Sequence, residues 1–320
     1  MNTKQVESAQ KSLLHWYETD ARNELPWRQT SDIYHIYLSE VMLQQTQVSR
    51  VANEYYPNFL QKFPTLQALS IATLDEVFSM WSGLGYYRRA KNLHETAKIC
   101  PKGLPNSLKE LQKLPGIGRY TASAICSFGY KQAVSVVDTN IARVLKRFFA
   151  KEQIKEKELW GLADHFLNQV NPTEHNLALM DLGAMLCVPK SPKCDECPLA
   201  GYCLGKNEAE KYYVKNQKKY VDKELHYGIV MQNGNVGMVK SNDGMYKDML
   251  ELPSLQAHRH EDLCIGSFKH SVTHYRLKVF VYVLDELEED LLWISSKEIS
   301  SLPISSLTQK AFKLFEKSKV

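Results

Sequence analysis

The stretch from Leu114 to Asn140, LPGIGRYTASAICSFGYKQAVSVVDTN, constrains this chain more than any other. Leu114-Pro115-Gly116-Ile117-Gly118 is a tight, apolar, double-glycine turn. Leu108 and Leu111 bring an apolar helical face into it, and Tyr120, Ala122, Ala124 and Ile125 carry one out. Two short helices joined in this way leave backbone N–H groups unpaired at the start of the second, where the peptide dipoles also favour an anion. A phosphate fits there. The pair is no dinucleotide fingerprint, because Thr121 takes the third glycine position and no strand precedes it. About twenty residues after Gly118 comes Asp138, in Val136-Val137-Asp138-Thr139-Asn140, just ahead of the amphipathic run 141–149. An aspartate there is a favoured helix N-cap. A capping aspartate at the mouth of a cleft can also face a developing cation.

The cysteines are the most specific signal. Cys187, Cys194, Cys197 and Cys203 form C-x6-C-x2-C-x5-C, with Pro189, Pro192 and Pro198 between them. Four soft thiolates in so short a loop can surround one cube of iron and sulfide. The alternative is a zinc knuckle, which usually offers two C-x2-C pairs; only one is present here. The spacing therefore favours a [4Fe–4S] cluster. Lys190, Lys193 and Lys206 border the loop as phosphate contacts or as a solvated face.

Glu40 is the second candidate. In Ser39-Glu40-Val41-Met42-Leu43-Gln44-Gln45-Thr46-Gln47 its helical neighbours are Ile33, Ile36 and Tyr37. A carboxyl on an apolar stripe is desolvated, which raises its pKa and suits a general acid. The competing reading is an exposed or ion-paired glutamate on a face of another kind. Gly83-Leu84-Gly85-Tyr86-Tyr87-Arg88-Arg89-Ala90-Lys91 joins a turn to two aromatics and three cations, as a wedge in a base step with adjacent phosphate contacts requires. It also reads as a plain helix start with buried tyrosines.

The chain is long enough for two or three domains. From about 32 to 205 nearly every segment has helical period, punctuated by Pro and Gly. Residues 206–224 turn polar and basic, a linker pattern. Beyond them lie strand-like runs at 227–231, 236–239 and 278–284, with Asn233-Gly234 as a hairpin signal. Charge divides along the same line: residues 1–222 hold 28 Lys+Arg against 23 Asp+Glu, and 223–320 hold 12 against 13. The helical part is thus the one fitted to a polyanion. No apolar run can span a bilayer, no secretory leader is evident, and bunched cysteines fit a reducing compartment, so the expected location is cytoplasmic.

Taken together, LPGIGRYTA, the later Asp138 and the cysteine spacing resemble the helix-hairpin-helix DNA glycosylases with an iron–sulfur cluster, the endonuclease III superfamily. LPWR, SEVMLQQTQV, GLGYYRRAKNL and MDLGAMLC narrow the resemblance to the MutY-type adenine DNA glycosylases, densely over 11–205. It implies a mainly α fold: a six-helix barrel with the helix-hairpin-helix (24–130), a cluster domain from 1–23 and 131–205, the linker, and a small α+β Nudix-like domain at 225–320. The implied activity is removal of adenine opposite 8-oxoguanine or guanine in double-stranded DNA, by a monomer in the bacterial cytoplasm, at the nucleoid. In that resemblance Glu40 matches the general acid at adenine N7, Asp138 the carboxylate that stabilises the cationic sugar, Asn140 its neighbour, and Tyr120 the residue facing the sugar. Endonuclease III relatives place a Schiff-base lysine at this last position, so tyrosine implies an enzyme without efficient strand cleavage. Leu114, Gly116 and Gly118 match the phosphate turn. Trp27 and Arg28 match pocket residues, and Gln45 and Tyr86 the wedge opposite the adenine. Lys269–Tyr275 aligns with the 8-oxoguanine loop, with Val272-Thr273-His274 in place of Phe-Ser-His. Two further departures are Thr139 for the usual glycine and Leu177 for a hydrogen-bonding Glu or Gln. Other readings are a thymine or uracil mismatch glycosylase of the same superfamily, and a non-catalytic DNA-binding redox sensor.

Overall fold

The computed structural model describes residues 2–213, 219–242, 246, 249–256, 263–272, 274–287, 290–299, 302 and 304–318. The chain divides into two compact units, one of Met1–Ser70 with Glu95–Lys215 and one of Ile71–His94 with Asn216–Val320.

The first unit is helical. Helix α1 (Thr3–Asp20) opens on a capping box between Asn2 and Gln5 and buries Val6, Ala9, Leu13 and Tyr17 along one stripe. Helix α2 (Ile33–Met42) is capped by Asp32, whose side chain accepts from the N–H groups of Tyr34 and His35. Helix α3 (Val48–Arg50) runs through a π-type turn, Val51–Tyr55, into α4 (Tyr56–Lys62); α5 (Leu66–Ile71) follows. The C-terminal half of α7 (Arg88–Ile99) leads into α8 (Leu108–Leu111), the glycine turn, and α9 (Arg119–Ala124), which continues into a second π-type turn, Ile125–Gly129. Helix α10 (Thr139–Phe148), α11 (Glu156–Phe166) and α12 (Pro172–Met185) complete the unit.

Helix α12 packs against both α1 and α10. Their shared core contains Leu13, Ile141, Val144, Leu145, Phe148, Phe166, Leu179 and Leu182. Each such side chain taken from water contributes about 1.5–3 kcal/mol, so this core outweighs the modest propensities of the short helices. The first residues of the expected linker, 206–212, are packed against the helical unit. Residues Lys206–Tyr212 form a short 3₁₀ stretch that buries Ala209 and Tyr212, and Arg147 Nε donates to the Ala209 carbonyl at 2.7 Å.

The second unit is a mixed sheet with one long helix. Its strands are β1 (Val221–Gln232), β2 (Asn235–Lys240), β3 (Leu250–Glu251), β4 (Cys264–Val272), β5 (Tyr275–Leu284) and β6 (Leu292–Ser295). The order is β3-β2-β1-β5-β4, with β6 paired to β2. β1 and β5 run parallel, and the other pairs are antiparallel. Asn233 and Gly234 both take left-handed φ values of 51° and 78°, as the tight hairpin between β1 and β2 demands. Helix α13 (Ser306–Ser318) buries Leu307, Ala311 and Phe315 against the core of Ile229, Met238, Val279 and Val281. Helix α6 (Leu74–Met80) and the turn after it also belong here. In that turn Gly83, Gly85 and Tyr86 are left-handed, and Tyr86 is exposed while Tyr87 is buried. Arg89 holds the turn: Nη2 donates to the carbonyls of Leu84 and Gly85, and its guanidinium lies over Trp81 and Tyr86.

Candidate active site

A cavity of about 330 Å³ in the helical unit gathers the four predicted catalytic residues, Glu40, Tyr120, Asp138 and Asn140, with Trp27 and Arg28; Leu177 lines it too. Glu40 comes from α2, Tyr120 from the first turn of α9, and Asp138 and Asn140 from the start of α10. The apolar stripe expected beneath Glu40 is wider than a stripe. Tyr34 and every residue from Ile36 to Met42 are buried, so α2 is enclosed on all sides.

That enclosure sets the chemistry of Glu40. Burial pushes its carboxyl up to about 7; the Tyr120 hydrogen bond and Arg28 pull the other way, and nearby Asp138 adds to the rise. The Tyr120 hydroxyl donates to Glu40 Oε2 at 2.7 Å, and the tyrosine's own pKa is driven well up by burial and by that carboxyl. A carboxyl with its pKa near 7 is thus protonated in about half of the molecules at neutral pH, and in most of them below it.

Asp138 is at once the helix cap and a cavity wall. Its side chain accepts from the Ile141 N–H at 2.6 Å. Burial raises its pKa too, against the backbone N–H groups of Ile141 and Asn140, the Arg143 charge and the Asn140 side chain, all of which favour the anion. Both carboxyls are thus raised by burial, and what differs is how much compensation each receives. Thr139, which replaces the usual glycine, sits at the first helical position, where a Cβ carries no penalty. Leu177 presents an apolar wall.

Arg28 lines the cavity, yet its guanidinium is committed elsewhere. Nη1 and Nη2 donate to the two oxygens of Asp181 at 2.5 and 2.8 Å, and Arg22 reaches the same carboxylate at 2.5 and 2.8 Å. Burial alone would raise the Asp181 pKa, but its hydrogen bonds and charge contacts with Arg28 and Arg22 hold it below the ordinary value. Asp181 lies in MDLGAMLC, but its partners are 153 and 159 residues away, so sequence spacing could not reveal the triad. Trp27 is fixed edge-on to Tyr56, with ring centroids 5.4 Å apart.

A second missed residue is Asn176, which is 1% exposed. Its Oδ1 accepts from the Val136 N–H at 3.1 Å, and its Nδ2 donates to the Val134 carbonyl at 2.8 Å and to Ser127 Oγ at 2.9 Å. The side chain substitutes for a partner strand along the extended segment that delivers Asp138. Asn140 is held in turn by Arg143, whose Nη2 donates to Asn140 Oδ1 at 2.9 Å and to the Gly183 carbonyl, while Nε donates to the Cys187 carbonyl at 2.7 Å.

Gly183 explains why α12 can lie so close. A Cβ there would stand 2.7 Å from the Asn140 Cβ and 3.1 Å from its backbone. Gly183→Ala is expected to displace the start of α10, cost about 1–3 kcal/mol as overpacking does, and lower single-turnover base release together with the melting temperature. Base release and melting equal to wild type would show that the contact does not set the site.

The helix-hairpin-helix forms as expected. Gly116 has φ 71° and caps a turn in which the Ile117 N–H reaches the Leu114 carbonyl at 3.2 Å. Gly118 begins α9 with no side-chain cap, and both glycines are exposed. Gln45 is exposed and left-handed at φ 58°, as Tyr86 is in the other unit. In the second unit, Val272 and Tyr275 pair across the β4–β5 turn, and the His274 carbonyl accepts from the Val221 N–H at 2.8 Å. Thr273 lies outside the described residues.

Cys187, Cys194, Cys197 and Cys203 line one recess with Val144, Arg147, Phe148 and Leu186. Burial first, then one another's charge, pushes Cys197 up to about 12 and Cys203 up to about 11. Four thiols in one apolar recess ionise together only around a positive charge, which an iron–sulfur cube supplies. Arg147 is buried and donates to Cys187 Sγ at 3.2 Å and to the Cys187, Val188 and Pro189 carbonyls, shaping the loop as an outer shell shapes ligands. Among the described residues no three His, Cys, Asp or Glu side chains stand together as ligands of a single metal ion. Four thiols are the donor set that an iron–sulfur cube takes.

Residues 38–169 match the HhH-GPD superfamily of base excision DNA repair proteins, and residues 187–203 match the iron-sulfur binding domain of endonuclease III. The adenine DNA glycosylase of Buchnera aphidicola subsp. Schizaphis graminum is 30% identical over 341 residues, covering 95% of this chain and 97% of that protein. The chain belongs to the adenine DNA glycosylase family. The human adenine DNA glycosylase is 42% identical over 225 residues, 65% of this chain and 41% of that protein. Among solved structures, a thermostable thymine-DNA glycosylase superposes with a TM-score of 0.60 at 28% identity, covering 64% of this chain and 98% of its own. A non-covalent endonuclease III–DNA complex (TM-score 0.57, 21% identity, 65% and 98% covered) shares the fold. The protein is therefore a hydrolytic adenine DNA glycosylase of base excision repair, with a [4Fe–4S] cluster at the four cysteines. No described helix is long and apolar enough to cross a membrane.

Proposed function

We propose that the enzyme removes adenine opposite 8-oxoguanine or guanine, with Glu40 as acid and Asp138 as anionic support. The observation that carries this is the Tyr120–Glu40 hydrogen bond in the same cavity as Asp138. Adenine is flipped from the duplex into the cavity, at an unstacking cost of a few kcal/mol. Glu40 delivers its proton to N7, so that the C1′–N9 bond breaks with its electron pair leaving on a neutral base. The sugar becomes cationic at C1′. Asp138, held by the start of α10 and flanked by Asn140, stabilises that charge. Water adds to C1′, and its proton returns to a carboxylate. Tyr120 offers a hydroxyl where a lyase requires an amine, so strand breakage is not coupled to base release.

The double-glycine turn holds a phosphate at the start of α9. Gln45, in a left-handed conformation at an exposed site of the helical unit, fills the stack opposite the flipped base. The Val272–His274 turn reads 8-oxoguanine, whose N7–H is a donor that guanine lacks.

Single-turnover release from duplexes with A opposite 8-oxoguanine, A opposite G and T opposite G tests this, with and without alkali. Adenine release fastest opposite 8-oxoguanine, and strand breaks only after alkali, is the expected result. Equal adenine rates opposite 8-oxoguanine and G would remove the reader role of the 272–274 turn. Thymine release would move the assignment to the thymine-DNA glycosylase activity that the thermostable neighbour's name states.

A further inference from the structure

One cavity residue has no part in the chemistry above. Lys131 lines the same cavity as Glu40, Tyr120 and Asp138, and it is exposed. It is also left-handed, with φ 56°. A lysine gains nothing from that conformation, which Gly or Asn adopts at less cost; such outliers persist where the surroundings enforce them. Here they do. The Tyr130 N–H reaches the Ile125 carbonyl at 3.1 Å, closing the π-type turn. The Gln132 N–H reaches the Cys126 carbonyl at 2.9 Å, and Gln132 Nε2 donates to the Asn106 carbonyl at 2.8 Å. The residue is pinned on both sides, while it lines the cavity and remains exposed. The other two cations of the cavity, Arg22 and Arg28, are both spent on Asp181.

We propose that Lys131 is a DNA-contact residue of the active site, whose ammonium group binds a backbone phosphate flanking the flipped nucleotide. A nucleotide rotated into a cavity carries its phosphodiesters to the mouth, where each is a full negative charge near the Asp138 carboxylate that repels it. A cation at that rim offsets the repulsion and holds the extruded strand in register with Glu40. The phosphate turn of Gly116 and Gly118 meets the strand by backbone N–H groups at a helix start; Lys131 adds a point charge at a separate place, on the segment that leads to Asp138. The proposal rests on the glycosylase reading of the cavity.

The test is equilibrium binding of the full chain to a duplex whose target adenine, opposite 8-oxoguanine, sits on a 2′-fluoro-arabino sugar that resists cleavage. Lys131→Asn keeps the left-handed backbone and removes the charge. One phosphate contact contributes about 0.9 to the slope of log K against log salt. The variant should therefore lose about three- to fourfold less affinity than wild type between 50 and 200 mM salt, and Lys131→Arg should restore the wild-type slope. An unchanged slope in Lys131→Asn, with an unchanged melting temperature, would overturn the proposal. So would borohydride trapping of wild type, but not of Lys131→Asn, on cleavable substrate, since the amine would then reach the sugar carbon instead of the phosphate. Failure of wild type to release adenine at all would instead sink the underlying glycosylase reading, which the slope alone does not measure.

Discussion

Replacing Glu40 with glutamine is expected to lower single-turnover adenine release by about 10²–10⁴, the range that positioned proton transfer supplies. Glutamine keeps the shape and can still meet the Tyr120 hydroxyl, so the loss isolates the proton. The same variant should be more stable than wild type above neutral pH. Glu40 has a folded-state pKa of about 7 against an ordinary 4.5. A group raised in this way contributes stability that is fully present below the unfolded value and is lost as pH rises through the folded one. The gap corresponds to about 3 kcal/mol of cost once the carboxyl is forced to ionise. Urea melts at pH 4.5 and pH 8.5 check this: the stability gain of Glu40→Gln should be small at the lower pH and larger at the higher. A variant less stable than wild type at both would mean that the ionised carboxylate is well compensated, and hence no acid.

Asp138→Asn is the complementary experiment. Asparagine caps helices as well as aspartate does, so stability should change little. Base release should nonetheless fall by about 10²–10³, the loss seen when one preorganised electrostatic partner of a transition state is removed. This separates the two readings that the sequence leaves superposed at this position. A pure cap would survive the change with activity intact. Because the Asp138 pKa is itself raised by burial, the wild-type rate should also decline on the acid side, as the carboxylate needed beside the sugar takes up a proton.

How legible all this was depends on the range of the interaction. The double-glycine turn, the Asp138 cap and the Asn233-Gly234 hairpin are local, and each is specified within a few residues. The cysteines are spaced closely enough for their shared role to be read directly. Glu40 was half visible: its apolar neighbours are in the sequence, but the burial of α2 on every side needs the helices that pack around it. Asp181, Asn176 and Arg143 were not visible, because their partners lie 153, 40 and 44 residues away and their own segments look like ordinary helix. The same limit hid Lys131, whose left-handed backbone is enforced by the carbonyls of Ile125 and Cys126 and by a glutamine anchored to Asn106. Composition does not show that the basic, polar run at 206–212 buries Ala209 and Tyr212, because the arginine that draws its backbone inward is distant in sequence.

The most direct test of the central claim is the pH dependence of single-turnover adenine release from a duplex with A opposite 8-oxoguanine, measured for wild type and for Glu40→Gln. The account predicts a wild-type rate that falls as pH rises through about 7, while the residual rate of the variant lacks that limb. A wild-type rate flat from pH 6 to 9, or a limb of the same position in Glu40→Gln, would show that the proton for the leaving adenine comes from another group.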